Sequence, residues 1–81
     1  MAALTDATKK KALQARLSRA EGQVRGVLKL VREDADYERV SQQLAAARKA
    51  LDRAFFSLVG DAIEQGELTP EQVAALLAKF A

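Results

Sequence analysis

The sequence predicts an all-α fold with three helices per chain: two long helices joined as an antiparallel hairpin and a short C-terminal helix. Apolar residues recur in steps of three and four over residues 13–31 and again over residues 40–62, which is the spacing of one helix face. Gly66 then supplies a helix stop, and Thr69 followed by Pro70 supplies the sharpest helix start. We expect helices over about residues 6–33, 37–65 and 70–80, within a single domain spanning residues 1–81.

The first helix carries one apolar stripe. Its capping residue is Thr5 or Asp6, whose side-chain oxygen can accept a hydrogen bond from the first turn, and the helix ends near Asp34. The stripe consists of Leu13, Leu17, Ala20, Val24, Val27 and Val31. A single stripe predicts a helix that packs on one side and is solvated on the other.

The second helix begins after Asp36, a favourable N-cap residue, and continues until Gly66. Its stripe consists of Val40, Leu44, Ala47, Leu51, Ala54, Leu58 and Ala62. Phe55 and Val59 lie beside this stripe, whereas Phe56 and Ile63 point elsewhere. More than one side of this helix therefore needs cover.

The third helix has a complete start signal. Thr69 is the N-cap, Pro70 occupies the first helical position, and Gln72 completes a capping box, while Leu68 can staple to Val73. Its apolar face is formed by Val73, Leu76, Leu77 and Phe80. We expect this short helix to cover only part of the hairpin.

Two helices of about 28 residues would each be about 42 Å long. A lone hairpin of that length has no further element to cover its apolar stripes. The chain has 81 residues and no Cys, so no disulfide can compensate for a small core. We therefore expect two chains to pair their stripes in an antiparallel four-helix bundle. The dimer is the predicted folding unit.

The composition excludes several functions. The absence of both Cys and His removes thiolate zinc sites, imidazole ligands, Cys nucleophiles and the commonest general base. With no Gly-rich phosphate loop either, we expect no enzyme and no cofactor. No apolar run reaches the roughly 18 residues of a membrane helix, so we expect a cytoplasmic protein.

The positive charge is concentrated in the first part of the chain. The net charge is +2, but residues 1–32 contain eight basic and two acidic side chains, a sum of +6, so the remaining residues carry −4. Such asymmetry favours a polyanionic partner, although solvated charge on long helices gives the same pattern.

The basic residues form stripes beside the apolar ones. On the second helix one stripe contains Arg39, Gln42, Ala46, Lys49 and Arg53. The first helix has Lys9, Arg16, Arg19 and Gln23 on one side of its apolar stripe, and Lys11, Arg25, Lys29 and Arg32 on the other. Such residues either solubilise a bundle or, doubled in a dimer, contact the phosphates of duplex nucleic acid.

Two glycines lie within the first helix, where each costs roughly 1 kcal/mol relative to Ala. Gly22 and Gly26 project opposite the apolar stripe. We therefore expect them not to serve the approach of the second helix. They mark either a further contact surface or tolerated positions on a solvated face.

The segment Arg16–Val27, RLSRAEGQVRGV, resembles the R-L-x-R-I-x-G-Q-V-R-G-I signature of the copper-sensing operon repressor family, which also has nickel-, formaldehyde- and persulfide-responsive members. Further on, Val40, Gln43, Ala46, Ala50 and Leu51 are similar to the family's V-L-x-Q-x-x-A-x-x-x-A-L segment. The resemblance covers roughly residues 10–66. It implies an all-helical repressor of transcription, built as a dimer of four-helix bundles that pairs again into a tetramer.

The resemblance also implies site residues. Arg16 and Arg53 match family positions that contact operator DNA, with Arg19, Gln23 and Lys49 nearby. The family's Cys-His-Cys sensor positions, by contrast, carry Tyr37, Ala62 and Gly66 here. None of these is a soft-metal ligand or a thiol, so we expect no bound metal and no usual inducer chemistry. Tyr37 is expected to pack rather than react.

Two alternatives remain open. Asp36, Glu38, Asp61 and Glu64 could form a carboxylate site for a hard cation, although such acids are more often helix-end or solvated charges. The chain could also be a helical assembly module that binds no DNA and docks a protein, such as a subunit of a paralogous repressor.

Overall fold

A computed structural model describes residues 3–81, which form three α-helices and no strand. Helix α1 spans Ala7–Arg32, α2 spans Tyr37–Glu64 and α3 spans Pro70–Phe80. Each observed end lies within one residue of the range expected from the sequence. The all-α fold class is therefore confirmed. Within the same residues, no helix combines the length and the apolar character that a membrane crossing requires.

Side-chain caps fix all three helix starts. Asp6 and Asp36 each accept a hydrogen bond from the backbone amide three residues on, at 2.9 and 2.8 Å. Thr69 and Gln72 exchange two such bonds, at 2.9 and 3.1 Å, in a complete capping box. Because a cap of this kind contributes about 1 kcal/mol, short sequence motifs decide where each helix begins.

Helices α1 and α2 end in the same way. Asp34 (φ 56°) and Gly66 (φ 71°) both adopt the left-handed conformation just past the helix end. At the end of α1, the amide of Ala35 donates to the carbonyl of Leu30 at 3.0 Å, which is the long bond of a Schellman motif. Glycine adopts this conformation without strain, whereas Asp34 is one of the few non-glycine residues that tolerate it.

The contact between α1 and α2 is made by small side chains. The buried residues of the described chain are Ala20 on α1 and Ala47, Ala54 and Val59 on α2. Alanine lets two helix backbones approach closely, but its side chain buries little apolar area. The hairpin is therefore closely packed and contains almost no hydrophobic core of its own.

Gly26 lies against α2, which corrects the expectation that neither helix-one glycine serves the approach of the second helix. A Cβ atom at Gly26 would lie 2.9 Å from Nε2 of Gln43. That amide donates to Oε1 of Gln23 at 2.7 Å and to the carbonyl of Gln23 at 3.2 Å. The periodicity argument failed because the polar Gln43 side chain reaches around α1 beyond the apolar stripe. A Cβ atom at Gly22 would meet, within 4 Å among residues 3–81, the Arg25 guanidinium at 3.8 Å.

The apolar stripes of α1 and α2 are each divided between two environments. Ala20, Ala47 and Ala54 are buried in the hairpin contact. The other half stays open and forms what we call the apolar seam, with side chains 39–56% exposed: Leu17, Val24, Val31, Leu44, Leu51 and Leu58. The seam repeats every seven residues on each helix, the spacing of a coiled-coil surface.

The molecule is a flat layer. Its principal dimensions are 47 × 28 × 15 Å, so the thin direction is little more than one helix diameter. Helix α3 lies across the C-terminal end of α2 and leaves most of the hairpin uncovered, with Phe80 of its expected apolar face still 66% exposed. Tyr37, expected to pack, is 94% exposed; that expectation is wrong within one chain, because nothing in the layer covers the first turn of α2.

Candidate nucleic-acid interface

The hairpin register brings the expected DNA-contacting residues to one level. Gln43 is hydrogen-bonded to Gln23 near the connecting turn, and Lys9 contacts Asp61 at the open end. Arg16 lies midway between the two α1 positions, and Arg53 lies close to the midpoint of the two α2 positions. Because the helices run antiparallel, Arg16 is level with Arg53, and Arg19 is similarly level with Lys49.

These cations lie on the opposite side of the hairpin from the apolar seam. Arg19 directly precedes buried Ala20, and Arg53 directly precedes buried Ala54. Residues of the apolar seam instead come directly after residues of the helix contact in the sequence, as Val24 comes after Gln23. Successive residues turn by 100° in a fixed sense, so in antiparallel helices all preceding residues project to one face and all following residues to the other.

We call this set the basic track: Arg16, Arg19, Lys49 and Arg53. All four side chains are exposed. Among residues 3–81, the cations in ion pairs are Lys9, Arg25 and Lys29, and none belongs to the basic track. Within residues 3–81 the track therefore presents four positive charges with no acidic oxygen within 4 Å of them.

The other basic stripe of α1 differs in this respect. Arg25 lies 4.0 Å from Glu21, and Lys29 lies 4.0 Å from Glu33, each one helical turn away. Pairs of this kind contribute only a few tenths of a kcal/mol to helix stability, but they reduce the local positive potential. We call Arg25 and Lys29 the paired stripe. Lys11 and Arg32 lie on the same side of α1 but form no ion pair among residues 3–81.

Gln23 lies at the edge of the basic track but is already engaged. Its side-chain carbonyl oxygen accepts the hydrogen bond from Gln43, and the residue is partly buried. Its amide nitrogen remains a possible donor to phosphate. Gln23 therefore positions α2 against α1, and its contact with DNA stays a prediction.

Within one chain, the first of the family's sensor positions is far from the other two. Tyr37 begins α2, whereas Ala62 lies near its end and Gly66 just past it. The acids beside Ala62 are occupied by a protein cation: Lys9 Nζ lies 3.0 Å from Glu64 Oε2 and 3.4 Å from Asp61 Oδ1. The hydrogen bond to Glu64, supported by the charges of both acids, raises the pKa of Lys9 above its ordinary 10.5.

The four acids considered for a hard cation do not meet in the hairpin. Asp36 caps the start of α2 and Glu38 follows it, whereas Asp61 and Glu64 lie at the other end, about 35 Å away along the helix axis. Over residues 3–81, no group of three or more potential ligands is close enough to hold a metal ion.

The profile of the metal-sensitive transcriptional repressor family matches residues 9–78. The chain belongs to this family. The match spans all of α2 and nearly all of α1 and α3, and it confirms the family indicated by the Arg16–Val27 segment. A metal-sensitive transcriptional repressor regulates rather than catalyses. No curated protein and no solved structure matches the chain.

Sequence reasoning about this repressor missed two polar contacts, Gln43 with Gln23 and Lys9 with Asp61 and Glu64. The first left a signal, since a costly glycine at position 26 indicates a close neighbour. The second joins residues 52 and 55 positions apart, and nothing in the local pattern pairs them.

Proposed function

We propose that the protein is a self-associating transcriptional repressor that binds duplex DNA in the cytoplasm through its basic track, mainly by phosphate contacts. The observation that carries this proposal is the contrast in pairing. The exposed cations of the basic track have no acidic partner among residues 3–81, whereas Arg25 and Lys29 do. Unpaired cations attract phosphate and release its counterions, so the surface suited to DNA is the one opposite the apolar seam.

The surface area of the chain supports self-association. Its accessible surface is 6234 Å², whereas a compact monomer of this size exposes about 4,800 Å². The excess, about 1,400 Å², exceeds the roughly 800 Å² that each partner buries in a standard interface. A second copy laid on the apolar seam would bury this excess and complete a four-helix bundle with two layers. Further pairing into a tetramer is part of the proposal by family membership.

Pairing through the seam leaves the basic track outside. In a two-fold dimer each hairpin would present its own Arg16, Arg19, Lys49 and Arg53, giving two tracks on the outer faces. Within one track the four cations span only about 6 Å along the helix axes, since Arg16 and Arg19 are three residues apart and Lys49 and Arg53 four. One track would therefore contact neighbouring phosphates of one duplex, and the second track would face away from it.

We further propose that the signal releasing this repressor is not read by Cys or His. Tyr37, Ala62 and Gly66 supply no thiolate or imidazole, and an alanine side chain and a glycine hydrogen cannot ligate a soft metal. The cation bound beside Ala62 in the described chain is the ammonium of Lys9.

A fluorescence-polarisation titration tests the proposal with a labelled duplex carrying the upstream region of the gene, at salt concentrations from about 50 to 200 mM. We expect steeply salt-dependent binding, with a log–log slope of about −3.6 if each of the four cations of one track neutralises one phosphate. Binding that is absent or insensitive to salt contradicts DNA recognition.

The competing function, a helical module that docks another protein, gives a different result. It predicts a tight complex with that partner that survives Arg16→Ala combined with Arg53→Ala. DNA binding should not survive these two changes.

A further inference from the structure

We infer that the end of the hairpin holds a second binding site, a cavity for a small apolar amine. The cavity has a volume of about 400 Å³ and lies between the last turns of α2, the segment before α1, and α3. This volume is within the range of small-molecule sites, about 300–1,000 Å³. The cavity is on neither the basic track nor the paired stripe, and one residue of the apolar seam, Leu58, contributes to its wall.

The cavity wall is mainly apolar. Phe55, Val59 and Ala62 contribute from α2, Leu76 and Phe80 from α3, and Leu4 from the segment before α1. Phe55 is held in an edge-to-face contact with Phe56, with ring centroids 5.1 Å apart, so one aromatic wall is fixed in orientation. Such a surface favours a ligand with an aromatic or branched aliphatic body.

The polar groups of the cavity carry only negative or neutral character. Among residues 3–81 they are the carboxylates of Asp61 and Glu67 and the amide of Gln65, with no Lys or Arg in the lining. A ligand carboxylate or phosphate would be repelled, whereas an ammonium group would be attracted. The side chain of Asp61 is only 19% exposed, which lessens screening by water.

Lys9 offsets part of the negative charge near the cavity. Its ammonium lies 3.4 Å from Asp61 and 3.0 Å from Glu64, and Lys9 does not line the cavity. Two carboxylates therefore share one cation, and Glu67, the other acid of the lining, forms no ion pair among residues 3–81. A free amine would place its ammonium at Glu67 or Asp61 and its apolar body between α2 and α3.

Two probes of matched size and opposite charge test the site: phenylbutylamine, protonated near neutral pH, and phenylbutyrate. Both are titrated into the full-length protein in its assembled state, and binding is followed by amide NMR shifts. We expect the amine to bind at least about tenfold more tightly, since two carboxylates act on its charge, with the largest shifts around Phe55, Ala62 and Leu76. Equal binding of both probes, binding of neither, or shifts centred elsewhere would overturn the inference. Binding of neither is also the result expected if a second copy of the chain fills the cavity.

Charge variants separate this site from the Lys9 contact. Glu67→Gln and Asp61→Asn should each weaken amine binding by about three- to tenfold. Glu64→Gln is the matched control, because Glu64 is the closer partner of Lys9 but does not line the cavity. An equal effect of all three variants would mean that the amine merely competes with Lys9 at the surface, and it would refute the cavity.

Shape variants provide a second, independent readout. Ala62→Phe inserts a ring into the cavity and should abolish amine binding, whereas Ala78→Phe adds the same ring at an exposed α3 position that does not line it. Amine binding retained in Ala62→Phe contradicts the site. If Ala62→Phe fails to fold, the exposed Glu67→Gln variant still decides the question. None of these measurements contains DNA, so the site stands or falls separately from the proposed repressor function.

Discussion

The two broad faces of the hairpin are both exposed, yet they differ in what they lack. The apolar seam has side chains 39–56% exposed and carries no charge. The basic track has four cations and no acid in contact with them among residues 3–81. The seam lacks cover, which another copy of the same seam would supply, whereas the track lacks negative charge, which a polyanion would supply. The kind of interaction that a surface lacks, apolar cover or opposite charge, therefore indicates its partner better than exposure alone.

The largest effect is expected on the seam. Leu51→Asp would bury two carboxylates in a two-fold interface, so we expect self-association to weaken at least about 100-fold, with unfolding at micromolar concentration. Phe56→Asp is the control, because Phe56 is 53% exposed and Leu51 is 48% exposed, but Phe56 lies off the seam. Sedimentation velocity measures both. A dimer unaffected by Leu51→Asp would mean that the seam is not the interface.

A change on the basic track should be smaller and should affect DNA alone. Replacing Arg16 and Arg53 with Ala removes up to two phosphate contacts from the track that faces the duplex, so affinity should fall about tenfold and the salt slope should become less negative by about 1.8. The control replaces Arg25 and Lys29 with Ala, which alters net charge equally on the paired stripe. We expect that control to change affinity by only about twofold. Equal losses in the two double variants would indicate binding by net charge rather than by the track.

The glycines distinguish a crowded helix position from an open one. Gly60→Ala on α2 meets nothing within 4 Å and should raise the free energy of unfolding by about 1 kcal/mol through helix propensity. Gly26→Ala has the same propensity gain but displaces the Gln43 amide and its bond to Gln23, worth about 1 kcal/mol. Urea unfolding at one fixed protein concentration should therefore show stabilisation by the first change and little or none by the second. Similar stabilisation by both would show that the Gln43 contact contributes nothing.

The smallest effect is expected at Lys9. Lys9→Met removes the ion pairs with Asp61 and Glu64 and should lower stability slightly, whereas Lys10→Met at an exposed position should not. Because the folded-state pKa of Lys9 is raised above 10.5, its contribution is fully present below pH 10.5 and disappears as the pH rises through the raised value. Unfolding at pH 8 and in strong alkali measures the difference between the two variants. A difference that persists in strong alkali would show that packing, not charge, explains the effect of Lys9.

The sequence allowed the helices to be predicted closely, and the faces less so. Asp6, Asp36 and Thr69 act on amides three residues away, so their effect is visible in local spacing. The division of each stripe into a buried half and the apolar seam depends on which side meets the other helix, and a stripe of uniform apolar residues does not reveal that side. Tyr37 was misjudged for the same reason, since cover comes from other elements.

The candidate site was predictable in composition rather than in pairing. The basic track followed from helical spacing and from the family resemblance. The ion pairs of Arg25 with Glu21 and of Lys29 with Glu33 were not predicted, although their i, i+4 spacing is visible in the sequence. The contacts of Gln43 with Gln23 and of Lys9 with Asp61 depend on the tertiary register, which no local pattern records.

The flatness of the molecule has a consequence for gene control. The proposed pairing would complete the core of a layer 15 Å thick and would make folding depend on the number of copies in the cell. Early in synthesis, when copies are scarce, chains would stay unpaired and be cleared by proteolysis, and the promoter would remain open. Repression of the promoter would begin only above a threshold concentration of the protein. The flat shape of one subunit would thus make repression depend on concentration.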